Sequence, residues 1–144
     1  MNLFGMLELG GSALGAERQR AEVIASNMAN AQTTRTPGGG PYRRQLVVFQ
    51  ARHVPRFSLA LGGLQRENSS AVRVAAVVSD LRPPVLRFEP GHPDADAQGY
   101  VAYPQVDPIE EMTDLLGAVR AYELNASAVQ ATKNMITQSL SLLQ

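Results

Sequence analysis

The stretch DPIEEMTDLLGAVRAYELNASAVQATKNMITQSLSLL, Asp107 to Leu143, decides the fold. Met112, Val119, Ala126, Lys133 and Leu140 recur every seven residues, and Leu115, Tyr122, Val129, Ile136 and Leu143 form a second series of the same period. All of these except Lys133 are apolar or aromatic, so the pattern predicts a long helix with a coiled-coil-like seam. Asp107 suits the N-cap, Pro108 the first helical position, and Glu110 and Glu111 the positive end of the helix dipole. About 37 residues at 1.5 Å each would reach roughly 55 Å. That is about three times the length of an average globular helix.

A second helix is expected from residue 2 to about residue 32. Leu7, Leu14, Ala21 and Met28 repeat every seven positions, with Leu3, Ile24 and Ala31 on the adjoining seam. Gly10, Gly11 and Gly15 soften its first half by about 1 kcal/mol each relative to alanine. Near its end, SNMAN (26–30) places Asn27 and Asn30 three apart on the face that the pattern buries. Buried amides cost free energy unless they are hydrogen-bonded. The helix then gives way to TPGGGPYRR (36–44), a basic, glycine-rich loop.

Between the helices the character changes. RQLVVFQA (44–51) and VRVAAVVSD (72–80) are β-rich, the latter alternating at Val72, Val74 and Val78. PVLRFEP (84–90) and GYVAYP (99–104) read as shorter strands bounded by prolines, and LGGLQRENSS (61–70) as a turn or flexible loop. The expected fold is α+β: long N- and C-terminal helices paired in a coiled-coil-like bundle, with a small β-rich segment inserted between them. The corresponding domain reading is 1–33 and 105–144 as a terminal helical domain, and 34–104 as loop plus β segment.

Composition narrows the function. The 144 residues carry 13 Lys and Arg against 13 Asp and Glu, so a formal charge of zero gives no reason to expect nucleic acid or an anionic membrane as the main partner. Cysteine is absent, which excludes disulfides, thiol catalysis and cysteine-ligated zinc. No apolar run approaches the ~18 residues of a membrane span. Met1–Gly11 has no basic leader region and Glu8 interrupts its apolar stretch, so a cytoplasmic location or export without a cleaved leader is expected.

The usual constellations of chemistry are missing. Gly38, Gly39 and Gly40 are not followed by Lys-Ser/Thr in phosphate-loop spacing, and Pro41 removes a donor. His92, Asp94 and Asp96 lie within five residues, but Pro93 and small neighbours read as a surface turn, not a metal frame. His53 has no readable serine or carboxylate partner for a triad. Arg18, Arg20, Arg43 and Arg44 lack the interleaved aromatics of a nucleic-acid surface apart from Tyr42, so inter-subunit salt bridges are expected of them. No catalytic residue, metal, cofactor or small-molecule substrate is expected. Two long helices whose seams exceed what each can bury on the other predict an exposed interface patch, involving for example Phe4, Leu116 and Leu124. The expectation is many copies packed through these helices. The competing expectation is a soluble adaptor or chaperone-like module capturing one partner.

At this point the residues resemble the bacterial flagellar axial proteins, and among them the proximal rod proteins. The resemblance is carried by ALGAERQRAEVIASNMANAQTTRTPGGGPYRRQLVVF (13–49), with S-N-x-A-N at Ser26, Asn27, Ala29 and Asn30. EPGHPDADAQGYVAYPQVDPIEEM (89–112) and VRAYELNASAVQATKNMI (119–136) carry it further, the last through Arg120, Tyr122, Asn125, Lys133 and Met135. Gln105 departs from the asparagine usual in the family. The resemblance implies a non-enzymatic subunit of the drive shaft that crosses the periplasm and transmits torque. It implies export through the flagellar type III apparatus, with other copies, other rod proteins and the surrounding basal-body ring proteins as neighbours. It further implies an assembly interface on Leu7, Leu14, Ile24, Asn27, Met28, Asn30, Met112, Leu115, Val119, Tyr122, Asn125, Val129, Ile136 and Leu140. The loop Pro37, Gly38, Gly39, Gly40, Pro41, Tyr42, Arg43 and Arg44 would run between inner and outer layers, and neighbouring subunits would satisfy the SNMAN amides.

Overall fold

A computed structural model describes residues 3–54 and 69–142. The order is α1 (Leu3–Ala29), β1 (Gln45–Val54), β2 (Ser69–Ser79), β3 (Val85–Phe88), β4 (Tyr100–Tyr103) and α2 (Pro108–Ser141). The four strands fall on the four β-rich runs, and two long helices enclose them in sequence, an α+β arrangement. Residues 61–68 of the expected loop, and Leu143 of the seam, lie outside the described residues.

The helix boundaries have local causes. α2 starts where Asp107 Oδ1 accepts the N–H of Ile109 at 2.9 Å, the N-cap bond that its position predicted. α1 stops at Ala29, short of the expected residue 32; Asn30 still bonds the Ser26 carbonyl, through its N–H at 3.1 Å and its Nδ2 at 2.9 Å. The next bonds tighten, Ala31 N–H reaching Met28 O, and Thr33 Oγ1 donates to Asn30 Oδ1 at 3.2 Å. At 27 and 34 residues the helices span about 40 and 51 Å.

The chain forms two compact units. One comprises residues 20–47 and 77–117. In it α1 and α2 run antiparallel: Arg20 faces Asp114 at 3.9 Å, and seven residues further along α1, Asn27 bonds Glu111 at 3.0 Å. β3 and β4 pair antiparallel from Val85↔Tyr103 to Phe88↔Tyr100. Val101, fully buried, is the apolar anchor of that hairpin, while Phe88 and Tyr100 meet edge to face at 5.4 Å. Arg87 lies 4.7 Å above the Tyr103 ring, whose hydroxyl donates to Glu89 at 2.9 Å and is held above its ordinary pKa by that bond.

Gly99 makes the hairpin possible. Its φ of +85° is a left-handed value, and a Cβ there would stand 2.9 Å from Phe88 Cε2 and 3.2 Å from Pro90 Cβ. Gly99→Ala is therefore expected to cost about 1–3 kcal/mol, the strain of a left-handed alanine plus the clash, read as a lowered melting temperature. An unchanged melt would show that the turn relaxes freely.

The other unit comprises 3–19, 48–54, 69–76 and 118–142 among the described residues. Ala16, Ala71 and Ala118 are its buried apolar residues. Small side chains let backbones approach closely: a Cβ on Gly10 would lie 2.5 Å from Val129 Cγ2, so α1 and α2 touch there with no room for any larger residue. Ser12 joins helix to strand by accepting the N–H of Val72 at 3.0 Å while donating to Leu9 O at 2.8 Å. Arg73 on β2 forks onto Gln50 Oε1 of β1 at 2.7 and 3.2 Å. Of the alternating β2 valines, Val72 and Val74 are half-buried, but Val78 is exposed.

Candidate functional site

Two features stand out: a fully paired polar junction, and a helix face left open. The junction begins with Asn27, 1% exposed on the last turns of α1. Its Oδ1 accepts the backbone N–H of Gln45 at 2.9 Å and the Tyr42 hydroxyl at 3.0 Å. Its Nδ2 donates to the Gln45 carbonyl at 2.9 Å and to Glu111 Oε2 at 3.0 Å. An amide offers two donors and two acceptor sites, and all four are used. Toward Gln45 the side chain takes the place of a neighbouring strand, so the first residue of β1 is paired by a helix.

Arg44 completes the junction. Its Nε bonds Glu111 Oε1, Nη1 reaches Glu110 at 3.2 Å and Nη2 reaches Asp114 at 3.4 Å. Burial alone would lower the guanidinium pKa, but the bond and charge of Glu111, then Glu110, outweigh it and hold Arg44 above its ordinary value. Glu111, 1% exposed, thus spends one oxygen on Arg44 and the other on Asn27. Buried charges of this kind are tolerable only when paired and hydrogen-bonded, as here. The Arg44 carbonyl accepts the N–H of Asp80 at 2.7 Å, tying the same residue to the end of β2. Asp80 in turn receives the N–H and Nε of Arg82 at 3.0 and 2.6 Å, which keep its carboxyl below the usual range.

The glycine loop leads the chain into this junction. Gly39 and Gly40 adopt φ of +84° and +73°, which favour glycine. Thr36 N–H bonds Gly40 O and Gly39 N–H bonds Thr36 O, both at 2.9 Å, while Tyr42 N–H returns to Thr33 O at 3.0 Å. Pro37, Gly38 and Arg43 are exposed, Pro41 and Tyr42 half-buried.

The amides of SNMAN are therefore satisfied within the chain, where a neighbouring subunit was expected. Arg44 is likewise paired inside the chain, and Arg20 faces Asp114. Composition could not reveal this, because the partners of Asn27 and Arg44 lie up to 84 residues away. Glu111, Gln45 and Asp114 were missed as site residues. The pattern placed Glu111 only in the first helical turn, since its own seven-residue series, with Ala118, Asn125 and Thr132, is small and polar and carries no signal of burial. His92, Asp94 and Asp96 build a turn: His92 Nδ1 accepts the N–H of Asp94, Asp94 takes Thr34 Oγ1 at 2.8 Å and Arg35 at 3.3 Å, and Asp96 Oδ1 takes the N–H groups of Gln98 and Tyr100. Among the described residues no cluster of three His, Asp or Glu is placed to hold a metal.

The open face is on α2. Its most buried positions are Glu111, Ala118 and Thr132, with Asn125 half-buried in the same seven-residue series. Small and polar residues thus occupy the stripe that the chain itself covers. Thr132 and Asn125 satisfy their polar atoms on Ala128 O and Ala121 O of their own helix, both at 2.9 Å. The large apolar residues lie elsewhere. Ile109 and Leu124 are 78% and 73% exposed, and Met112, Leu116, Val119, Tyr122, Met135 and Leu140 are exposed too. Of the remaining expected interface residues, Leu115, Val129, Ile136, Leu7, Leu14, Met28 and Asn30 are half-buried, and Ile24 is buried. No helix among the described residues is long and apolar enough to cross a membrane.

Helical termini of this pattern around a short β segment match two family models: residues 7–35 the flagella basal body rod protein model, and residues 97–142 the C-terminal model of the flagellar basal body rod FlgEFG proteins. Full-length relatives narrow the class. The flagellar basal-body rod protein FlgC of Yersinia enterocolitica is 40% identical with both chains covered end to end. Those of Borreliella burgdorferi and Bacillus subtilis are each 38% identical, with 99% or more of every chain covered. The chain belongs to the FlgC family of flagellar basal-body rod proteins.

Proposed function

We propose that this chain is a structural, non-enzymatic subunit of the proximal rod of the flagellar basal body, stacked helically against copies of itself and other rod proteins. The exposed apolar face of α2 is the observation that carries the reading. Leaving Ile109, Met112, Leu116, Leu124 and Leu140 in water forgoes stabilisation of order 1.5–3 kcal/mol for each side chain that a neighbour could bury. An adaptor with a single partner would need one groove; exposed residues here occur from one end of α2 to the other, as suits a subunit with several neighbours. The polar junction serves the same end differently. It holds the end of α1, the start of β1 and the first turn of α2 in one rigid arrangement, so that the interface faces keep their spacing. We further infer, from the resemblance to axial proteins, export by the flagellar type III apparatus and basal-body ring proteins as outer neighbours.

The test is direct. In a motile strain whose native copy is replaced by this chain, basal bodies purified with their rods should contain it in fixed stoichiometry with other rod proteins. Omitting it should stop the flagellum before the hook. Finding it only in the soluble fraction of swimming cells would end the proposal.

A further inference from the structure

Beside the junction lies a small cleft that its hydrogen bonds leave unfilled. It measures about 130 Å³ and is walled by the left-handed glycines Gly39 and Gly40, by Arg43, Arg82 and Pro84, and by Gln105. Small-molecule sites usually exceed about 300 Å³, so the space suits one side chain better than a metabolite. Its chemistry is one-sided. Three arginines line it, Arg43, Arg44 and Arg82, against the single carboxylate of Asp80. Arg44 is neutralised from behind by Glu110, Glu111 and Asp114, and Arg82 holds Asp80 through Nε. Arg43 is exposed, and its side chain makes no hydrogen bond or ion pair among the described residues. The glycines contribute open backbone at the mouth, since nothing lies within 4 Å of where their Cβ atoms would be. Gln105, exposed, also lines it.

We propose that this cleft receives an aspartate or glutamate side chain from an adjoining protein in the assembly, a reading that rests on the chain being a rod subunit. The incoming carboxylate would be held in a charge-assisted pair by Arg43, whose fork fits two oxygens, and hydrogen-bonded by Gln105. Pro84 and the glycine loop shape the entrance. The loop is then a socket as well as a connection, with a chemistry distinct from the apolar contacts of α2.

Four full-length variants test it in strains carrying each as the sole copy, read as the amount of chain in purified basal bodies and the amount exported. Arg43→Glu, which repels a carboxylate, and Gln105→Trp, which fills the cleft, should each lower incorporation about tenfold or more while leaving export unchanged. Arg43→Lys keeps the charge but not the fork, and should incorporate at a level between wild type and Arg43→Glu. Arg73→Glu, at an exposed arginine outside the cleft, should incorporate almost normally. Normal incorporation of Arg43→Glu would overturn the proposal. So would failure of Arg43→Glu with normal Gln105→Trp, which would mean that an open charged surface matters and no side chain enters. Equal failure of Arg73→Glu would reduce the effect to general charge. Absence of even the wild-type chain from basal bodies would instead strike the rod reading itself.

Discussion

Arg44→Met is expected to destabilise the folded chain by about 3–5 kcal/mol, the range for removing one partner of a buried ion pair. The methionine fills much of the same space, so lost volume is not the cause. Glu111 would remain almost fully buried with only Asn27 to stabilise its charge. Glu110 and Asp114 are partly exposed and water can replace their share, so they contribute little. Against a total stability of ~5–15 kcal/mol the loss is large enough to unfold a marginal chain. Arg44→Lys should recover only part of it, because a point charge cannot address three carboxylates in a planar fork. The double variant Arg44→Met, Glu111→Leu should be more stable than Arg44→Met alone, since the orphaned carboxylate is gone. Urea unfolding monitored by circular dichroism measures all three. A double variant no more stable than Arg44→Met alone would show that the orphaned carboxylate is not what the single change costs.

Val129→Asp should be the other severe change, costing several kcal/mol and abolishing swimming. Val129 sits half-buried where α1 and α2 meet, its Cγ2 occupying the space in front of Gly10. A carboxylate there faces the backbone of Gly10. Lys133 lies one turn further along, exposed, and helical pairs at that spacing return only ~0.2–0.5 kcal/mol. An unpaired carboxylate withdrawn from water costs far more, even after relaxation. Gln130→Asp, exposed on the same helix, should stay within about 0.5 kcal/mol of wild type and swim. Complementation scored for swimming and for secreted chain checks both variants together. Normal swimming of Val129→Asp cells would show that this contact does not hold the helices.

The comparison of Val129 with Met112 marks how far periodicity reaches. Both belong to the seven-residue series that predicted α2, and both lie in the helix. Yet Val129 touches α1 while Met112 faces water. A repeat tells that a face is apolar without telling whether its own chain or another molecule covers it. Strand positions were legible for a similar local reason, because alternation and bounding prolines act within a few residues. The buried stripe Glu111, Ala118, Asn125 and Thr132 was not legible, since small and polar residues do not announce burial.

By itself, then, the sequence determined the two long helices, the four strands between them, the glycine loop and the family, all of which rest on local pattern or on motifs in fixed order. The burial of Asn27 could be suspected from its place in the repeat. Only the tertiary structure decided what answers it. Asn27 meets Gln45 and Glu111, and Glu111 meets Arg44, because the chain returns to the end of α1 twice, once after the loop and again after the strands. Those partners are chosen by three-dimensional closure and not by spacing along the chain, so the junction became visible only when the helices were brought side by side.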